Sequence, residues 1–349
     1  MRYVLFLLYL FGTVANGQGI YKNLVFEGGG IRGLAYAGTI KVLEEKNILS
    51  QVERAAGTSA GAIAALLISL DYNATEIDSI LRNIKFQKFN DGRGGLIGKY
   101  KRIRNYFGIY AGDRLEEWLG ELIELKTGNP GLTFEGLHAL RGTYPQFKEF
   151  YCTGTNLTQQ RVEVFSYNST PGFPLKTAVR ISSAIPFYYK PVFLDSNYVA
   201  HKDPLPNTNY SVMIDGGFIA NFPITIFDSC KDPNGNPLEC DSVIVNTATL
   251  GIKLERPEQI DLNRQKNDSI APFTINTFNG FTHAFGTMMM RTLNYRNKDA
   301  YERNRTIYVS DGNLSPRVRK MTDKDKDALV ANGRKGAEEF FAGKNDVVK

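Results

Sequence analysis

The stretch VERAAGTSAGAIAALLISL, residues 52–70, decides the fold class. Residues 52–56 read as a short strand. Residues 60–70 are apolar nearly all round, which describes a helix buried beneath a sheet. Between them Gly57-Thr58-Ser59-Ala60-Gly61 is a G-x-S-x-G, the pattern that seats a serine on a sharp strand-to-helix turn. Gly57 and Gly61 remove side chains where strand and helix crowd together. The turn exposes the Ser59 oxygen beside a helix N-terminus, whose partial positive charge favours a developing anion. A small-residue loop could carry the same five letters by accident, but the flanking strand and helix argue against that.

Upstream, Asn23-Leu24-Val25-Phe26 is a short apolar strand that runs into Glu27-Gly28-Gly29-Gly30-Ile31-Arg32-Gly33. Residues 33–46 then read as a helix with Leu34, Ala37, Ile40, Val42 and Leu43 on its apolar face. A strand-helix-strand-helix opening implies a parallel sheet wrapped by helices. Gly28, Gly29 and Gly30 leave backbone N–H groups uncovered, as an oxyanion site requires. Gly28-x-Gly30-x-x-Gly33 is also the dinucleotide fingerprint. Against that reading, Glu27 sets a carboxylate at the phosphate position, and no acidic residue ends the next strand to hold a ribose. No nucleotide cofactor is expected.

Further on, 71–82 and 113–126 read as helices, and 150–155 and 161–167 as adjacent strands around a polar turn. Val212-Met213-Ile214 is a strand ending at Asp215-Gly216-Gly217, with a plain hairpin turn into Phe218-Ile219 as the alternative. Residues 242–246 form another strand candidate. Residues 322–341 read as a closing helix with Thr322 and Asp325 at capping-box positions. No linker or repeat divides the chain, so 18–349 is expected to be one domain. Its motifs lie within 22–225, and the pattern over 250–320 is indistinct.

The three histidines are His138, His201 and His283. Ser59, Asp215 and His283 stand in the chain order of an α/β-hydrolase triad. However, only 26 residues separate Gly30 from Gly57, enough for one helix and one strand. That fold puts more sheet between its oxyanion loop and its elbow. His283, in Phe281-Thr282-His283-Ala284-Phe285, reads as a packed residue. Asp215 is left as the direct partner of Ser59. A free aspartate titrates near 3.9; a low-dielectric site would raise that value and make it a better proton acceptor.

In this order and combination the motifs resemble the patatin-like phospholipase family, with its G-G-G-x-[R/K]-G loop, G-x-S-x-G nucleophile and D-G-[G/A] base. The matching residues are Gly28, Gly29, Gly30, Arg32 and Gly33; Gly57, Ser59 and Gly61; and Asp215, Gly216 and Gly217. The segments 179–186 and 219–223 also look like family blocks on either side of the aspartate. The resemblance implies a three-layer α/β/α fold with a mostly parallel central sheet and a Ser59–Asp215 dyad. It also implies an oxyanion hole at Gly28, Gly29 and Gly30, and hydrolysis of lipid acyl esters, of phospholipase A or lysophospholipase type, without metal or cofactor. Arg32 would order the loop or meet an anionic headgroup. Two rival readings stay open: a histidine-dependent soluble carboxylesterase, and an inactive lipid- or partner-binding protein on the same scaffold.

The formal charge of +6 over 349 residues is spread among both signs, and no nucleic-acid-binding signature appears, which disfavours nucleic acid as a partner. Arg2, the apolar run 3–11 and the small residues of 12–17 follow the order of a secretory signal peptide. A cleaved leader at 1–17 would make the protein secreted or periplasmic; an anchor or a buried first strand are the alternatives. Lys99, Lys101, Arg102 and Arg104 alternate with Tyr100, Ile103, Tyr106 and Phe107. They read either as a solvated loop face or as a peripheral surface resting on anionic lipid. Cys230 and Cys240 could close the loop 231–237 as a disulfide, and Cys152 reads as a buried strand residue. The aromatics of 187–189 and the Phe- and Met-rich run 278–290 would line an acyl groove or pack the core.

Overall fold

Short strands buried along almost their whole length make the centre of the sheet, because helices cover both of its faces. The computed structural model describes residues 21–343 except 93, 205–208, 232–235, 241–242, 266–268, 295–299 and 316–319. The expected leader at 1–17 therefore lies outside the described residues. In chain order the strands are β1 (Asn23–Phe26), β2 (Arg54–Gly57), β3 (Gly108–Tyr110), β4 (Glu149–Asn156), β5 (Arg161–Phe165), β6 (Phe187–Tyr189) and β7 (Val192–Leu194). They continue with β8 (Ala200–His201), β9 (Ser211–Asp215), β10 (Ser229–Cys230), β11 (Val243–Ile244), β12 (Thr249–Glu255) and β13 (Thr306–Ser310).

The helices are α1 (Ala35–Glu45), α2 (Ala60–Ser69), α3 (Ala74–Asn83), α4 (Gly95–Tyr106), α5 (Asp113–Thr127) and α6 (Phe134–Thr143). They continue with α7 (Leu175–Ser182), α8 (Gly217–Ala220), α9 (Pro257–Arg264), α10 (Phe278–Leu293), α11 (Ala300–Asn304) and α12 (Asp323–Phe341).

The main sheet runs β13-β12-β1-β2-β4-β9-β7-β8, with β5 beside β4. The five strands from β13 to β4 are mutually parallel, and β5, β9, β7 and β8 add antiparallel pairings. The expected mostly parallel α/β architecture is therefore present, with a mixed edge. α2 is buried at every residue from Gly61 to Ser69, as its all-round apolar sequence requires. α12 closes the fold against α1, where the Thr39 hydroxyl donates to the Gly333 carbonyl at 3.0 Å. Its capping box at Thr322 and Asp325 is formed.

Several boundaries differ from the sequence reading for local reasons. A 3-10 turn over Gly30–Leu34 precedes α1, so the glycine loop tightens before the helix begins. α3 starts at Ala74 and not at 71, because Asp71 takes a positive φ of 59° and Asn73 caps the helix with Glu76. The basic stretch near 100 is the helix α4, not a loop. The Asp215-Gly216 step leads into α8, not into a hairpin. Of the candidate strand 242–246, residue 242 lies outside the described residues and Val243–Ile244 form β11. Cys230 and Cys240 are joined as a disulfide, and Cys152 is buried in β4.

Register brings two distant residues to one height on the sheet. Gly57 of β2 pairs with Cys152 of the parallel β4, so Ser59 and Gly154 each lie two residues further on. β9 returns antiparallel and sets Asp215 opposite Gly154. Ser59 and Asp215 therefore meet above the ends of β2 and β4, although 155 positions separate them in sequence.

Candidate active site

Ser59 stands between β2 and α2 with φ 53° and ψ −120°, a region a side-chain-bearing residue seldom occupies. The turn closes so tightly that a methyl group on Gly61 would lie 2.4 Å from the Phe26 carbonyl oxygen. One on Gly57 would lie 2.3 Å from Gly61. Neighbouring groups fix the strained serine. Its N–H donates to the Ser182 hydroxyl at 2.9 Å. Beside it, the Thr58 hydroxyl donates to the Ala220 carbonyl at 2.7 Å and shares a 2.6 Å bond with Thr153.

Asp215 ends β9 with 5 % of its surface exposed, and Ser59 is 9 % exposed. The Asp215 N–H donates to the Ala184 carbonyl at 3.0 Å, and its Oδ1 accepts the Gly217 N–H at 2.8 Å. The Ser59 hydroxyl is also near enough to favour the charged form of the carboxylate. Burial pushes the Asp215 carboxyl up to about 7, against the pull of the Gly217 N–H and the Ser59 hydroxyl. Burial thus leaves a carboxyl of raised proton affinity on the strand end beside the Ser59 turn.

The glycine loop curls beside this pair, after β1. The Gly28 N–H is used by the Asn221 carbonyl at 2.9 Å. Among the described residues neither the Gly29 nor the Gly30 N–H meets a protein acceptor. Arg32 fastens the loop from behind: its Nε donates to the Gly29 carbonyl at 3.2 Å and its Nη1 pairs with buried Asp311 at 2.7 Å. Of the two roles open to Arg32, ordering the loop is the one its contacts perform. Glu27 faces inward. Its Oε2 accepts the Leu254 N–H at 2.9 Å and its Oε1 accepts from Asn221 at 3.2 Å. Burial, and secondly the nearby Glu255, raise its carboxyl to about 7 against Lys253 and Arg32.

Asn221 and Asn294 complete the frame. Asn294, at the C-terminus of α10, accepts the Asn221 N–H at 2.7 Å and donates to the Gly217 carbonyl at 2.8 Å. The blocks 179–186 and 219–223 thus supply Ser182, Ala184, Ala220 and Asn221. Their sequence stood out, but their separate tasks did not. Asn294 carried no sequence signal, since it acts through contacts across more than 70 residues.

His283 lies in α10, edge-on to Phe273 with ring centroids 5.6 Å apart. The other two histidines pair with acids: His138 with Glu149, and His201 with Asp195 at 2.9 Å. Among the described residues no group of three His, Cys, Asp or Glu side chains is placed to hold a metal ion. A cavity of about 640 Å³ opens elsewhere, lined in part by Thr177, Arg180 and His201, and neither Ser59 nor Asp215 borders it. Among the described residues no helix is long and apolar enough to cross a membrane.

The chain is similar to several known proteins. Bacillus subtilis YqhO is 32 % identical over 213 residues, covering 60 % of this chain and 67 % of that protein. A protein of Invertebrate iridescent virus 6 named "Probable lipid hydrolase 463L" is 26 % identical, covering 59 % and 63 % of the two chains. The match to Kluyveromyces lactis lysophospholipase NTE1, at 25 % identity, covers 60 % of this chain but 12 % of that one. The crystal structure of VipD from Legionella pneumophila superposes with a TM-score of 0.57 at 16 % identity, over 93 % of this chain and 67 % of that one, a likeness of fold alone. A family model described as patatin-like phospholipase matches residues 24–228, the span that holds the serine elbow, the glycine loop and the aspartate.

Proposed function

This chain belongs to the patatin-like phospholipase family, and on that premise we propose that it hydrolyses acyl esters of lipids through Ser59 and Asp215. The observation that carries the proposal is the strained Ser59 turn beside a buried carboxylate whose proton affinity is raised to about 7.

In this reading the Ser59 oxygen attacks the ester carbonyl carbon and its proton passes to Asp215. The oxygen of the tetrahedral intermediate accepts from the open N–H groups of Gly29 and Gly30, with Gly28 committed to holding the loop. The N-terminus of α2 adds its partial positive charge. Asp215 then returns the proton to the departing alcohol, leaving an acyl group on Ser59. Water, deprotonated by Asp215, releases the fatty acid and restores the hydroxyl. No step requires an imidazole or a metal ion.

The names of the viral and yeast relatives support a lipid ester as substrate, of phospholipase A or lysophospholipase type. The leader-like residues 1–17 and the Cys230–Cys240 disulfide support export to an oxidising compartment.

The test is fatty-acid release from lysophosphatidylcholine and phosphatidylcholine by wild type, Ser59→Ala and Asp215→Ala. Each substitution should lower release by at least about 10³-fold. Wild-type rates in either variant would refute the assignment.

A further inference from the structure

Two helices present apolar side chains to solvent, and both are tied to the backbone at Asp215. α4 has no buried residue along its 12 positions. Leu96, Tyr100, Ile103 and Phe107 recur at intervals of four and three and form one stripe. Leu96 is 84 % exposed and Ile97 is 73 % exposed. Exposed Lys101 and Arg104 run alongside in the same period as Ile97. Residues 92–112 carry five cationic side chains and no acidic one: Arg93, Lys99, Lys101, Arg102 and Arg104. α10 presents a second stripe of Phe278, Phe281, Phe285 and Met288, with Met289 beside it, each about half exposed or more. Residues 269–298 contain no aspartate or glutamate.

The attachments link both stripes to the site. From α4 the chain enters β3, which pairs with β6 so that Gly108 faces Phe187. β6 begins three residues after Ala184, whose carbonyl holds the Asp215 N–H. α10 is fastened through Asn294 to the Gly217 carbonyl. Phe107 and Phe187, neighbours through that pairing, both adopt left-handed backbone at φ 62° and 65°. Such a conformation is unfavourable for a bulky residue, yet both rings remain at least half exposed. A core-packing use of 278–290 is not what the structure has, since the stripe is uncovered.

From these features we infer that α4, with Phe107 and Phe187, and the stripe of α10 form a docking surface for an anionic lipid bilayer. Exposed apolar stripes beside the exposed cations Lys101 and Arg104 match the chemistry of an interfacial helix seated at the headgroup boundary. A protein partner would have to supply an apolar face framed by acids; a bilayer of anionic lipid supplies both at once. The inference rests on the lipid-hydrolase reading above and names the surface by which that enzyme meets its substrate.

The test is sedimentation of the full chain with vesicles of equimolar ether-linked phosphatidylcholine and phosphatidylserine, which offer no ester to cleave. Each cation near such a surface is worth about fivefold in partitioning, so Lys101→Gln with Arg104→Gln should weaken binding roughly 25-fold. The pair should have little effect on vesicles of phosphatidylcholine alone. Leu96→Gln with Ile97→Gln, and separately Phe281→Gln with Phe285→Gln, should each weaken binding at least about tenfold. Circular dichroism checks that each variant is folded. Binding equal to wild type in folded variants, or no binding by wild type, would overturn the inference. So would variants that change self-association while vesicle binding persists. Binding is read without turnover, so a wild type that binds these vesicles but never cleaves esters sinks the catalytic proposal and leaves the surface standing.

Discussion

Replacing Asp215 by asparagine should abolish ester turnover and, above neutral pH, stabilise the folded chain. The folded carboxyl titrates near 7 and an unperturbed one near 3.8. Between those values the native state keeps a proton that the unfolded chain gives up. The stability this group contributes is therefore greatest below 3.8, falls as pH rises towards 7, and is level beyond it. The gap of roughly 3 pH units corresponds to about 4 kcal/mol, an upper bound set by desolvation of the charge. Asparagine has the same shape. Its Oδ1 can accept the Gly217 N–H as the aspartate does, and its amide N–H can donate to the Ser59 oxygen. The variant thus loses the buried charge without orphaning a partner. Urea unfolding of both proteins at pH 5, 6, 7 and 8 reads the difference, which should grow by about 1.4 kcal/mol per pH unit and flatten near 7. Glu27 also titrates near 7, but it is common to both proteins and cancels. A difference that does not vary with pH would show that Asp215 is not a desolvated carboxylate, and the reasoning would fail.

Other perturbations separate the parts of the site. Ser59→Ala should end labelling by a fluorophosphonate probe while leaving the fold intact by circular dichroism. Arg32→Met strands the Asp311 carboxylate in the interior and releases the Gly29 carbonyl. It should cost about 3–5 kcal/mol in denaturant unfolding and lower kcat more than it raises KM. Asn294→Ala leaves the Asn221 N–H and the Gly217 carbonyl without their partner. It should destabilise by about 1–3 kcal/mol and slow turnover, and wild-type values for both would show that α10 does not brace the aspartate. Gly61→Ala has no room beside the Phe26 carbonyl and should prevent accumulation of folded protein.

Local chemistry explains what could be read from the chain. Gly57, Gly61 and the all-apolar run after Ser59 prescribe a strand, a sharp turn and a buried helix without reference to anything distant. The strand ending at Asp215 was equally visible, but its partner was not. The meeting of Ser59 with Asp215 depends on the register of β4 between them, which no local pattern encodes. β12 was missed for a related reason. It enters the sheet beside β1 from more than 200 residues away, and its pairing, not its sequence, makes it a central strand. The run at 278–290 shows the limit of periodicity: repeated Phe and Met reveal an amphipathic helix, but not whether protein or solvent covers its apolar face. The Gly28 N–H illustrates a finer limit. Three glycines promise three donors, and only the fold reveals that Asn221 takes one.

Direct proton transfer from Ser59 to Asp215 is tested most closely by the pH dependence of fluorophosphonate labelling in wild type, His283→Ala and Asp215→Asn. The rate should rise with a single ionisation near 7 in wild type and keep that profile in His283→Ala. In Asp215→Asn it should fall by orders of magnitude and lose the ionisation. Loss of labelling in His283→Ala, with Asp215→Asn retaining the wild-type profile, would contradict the account.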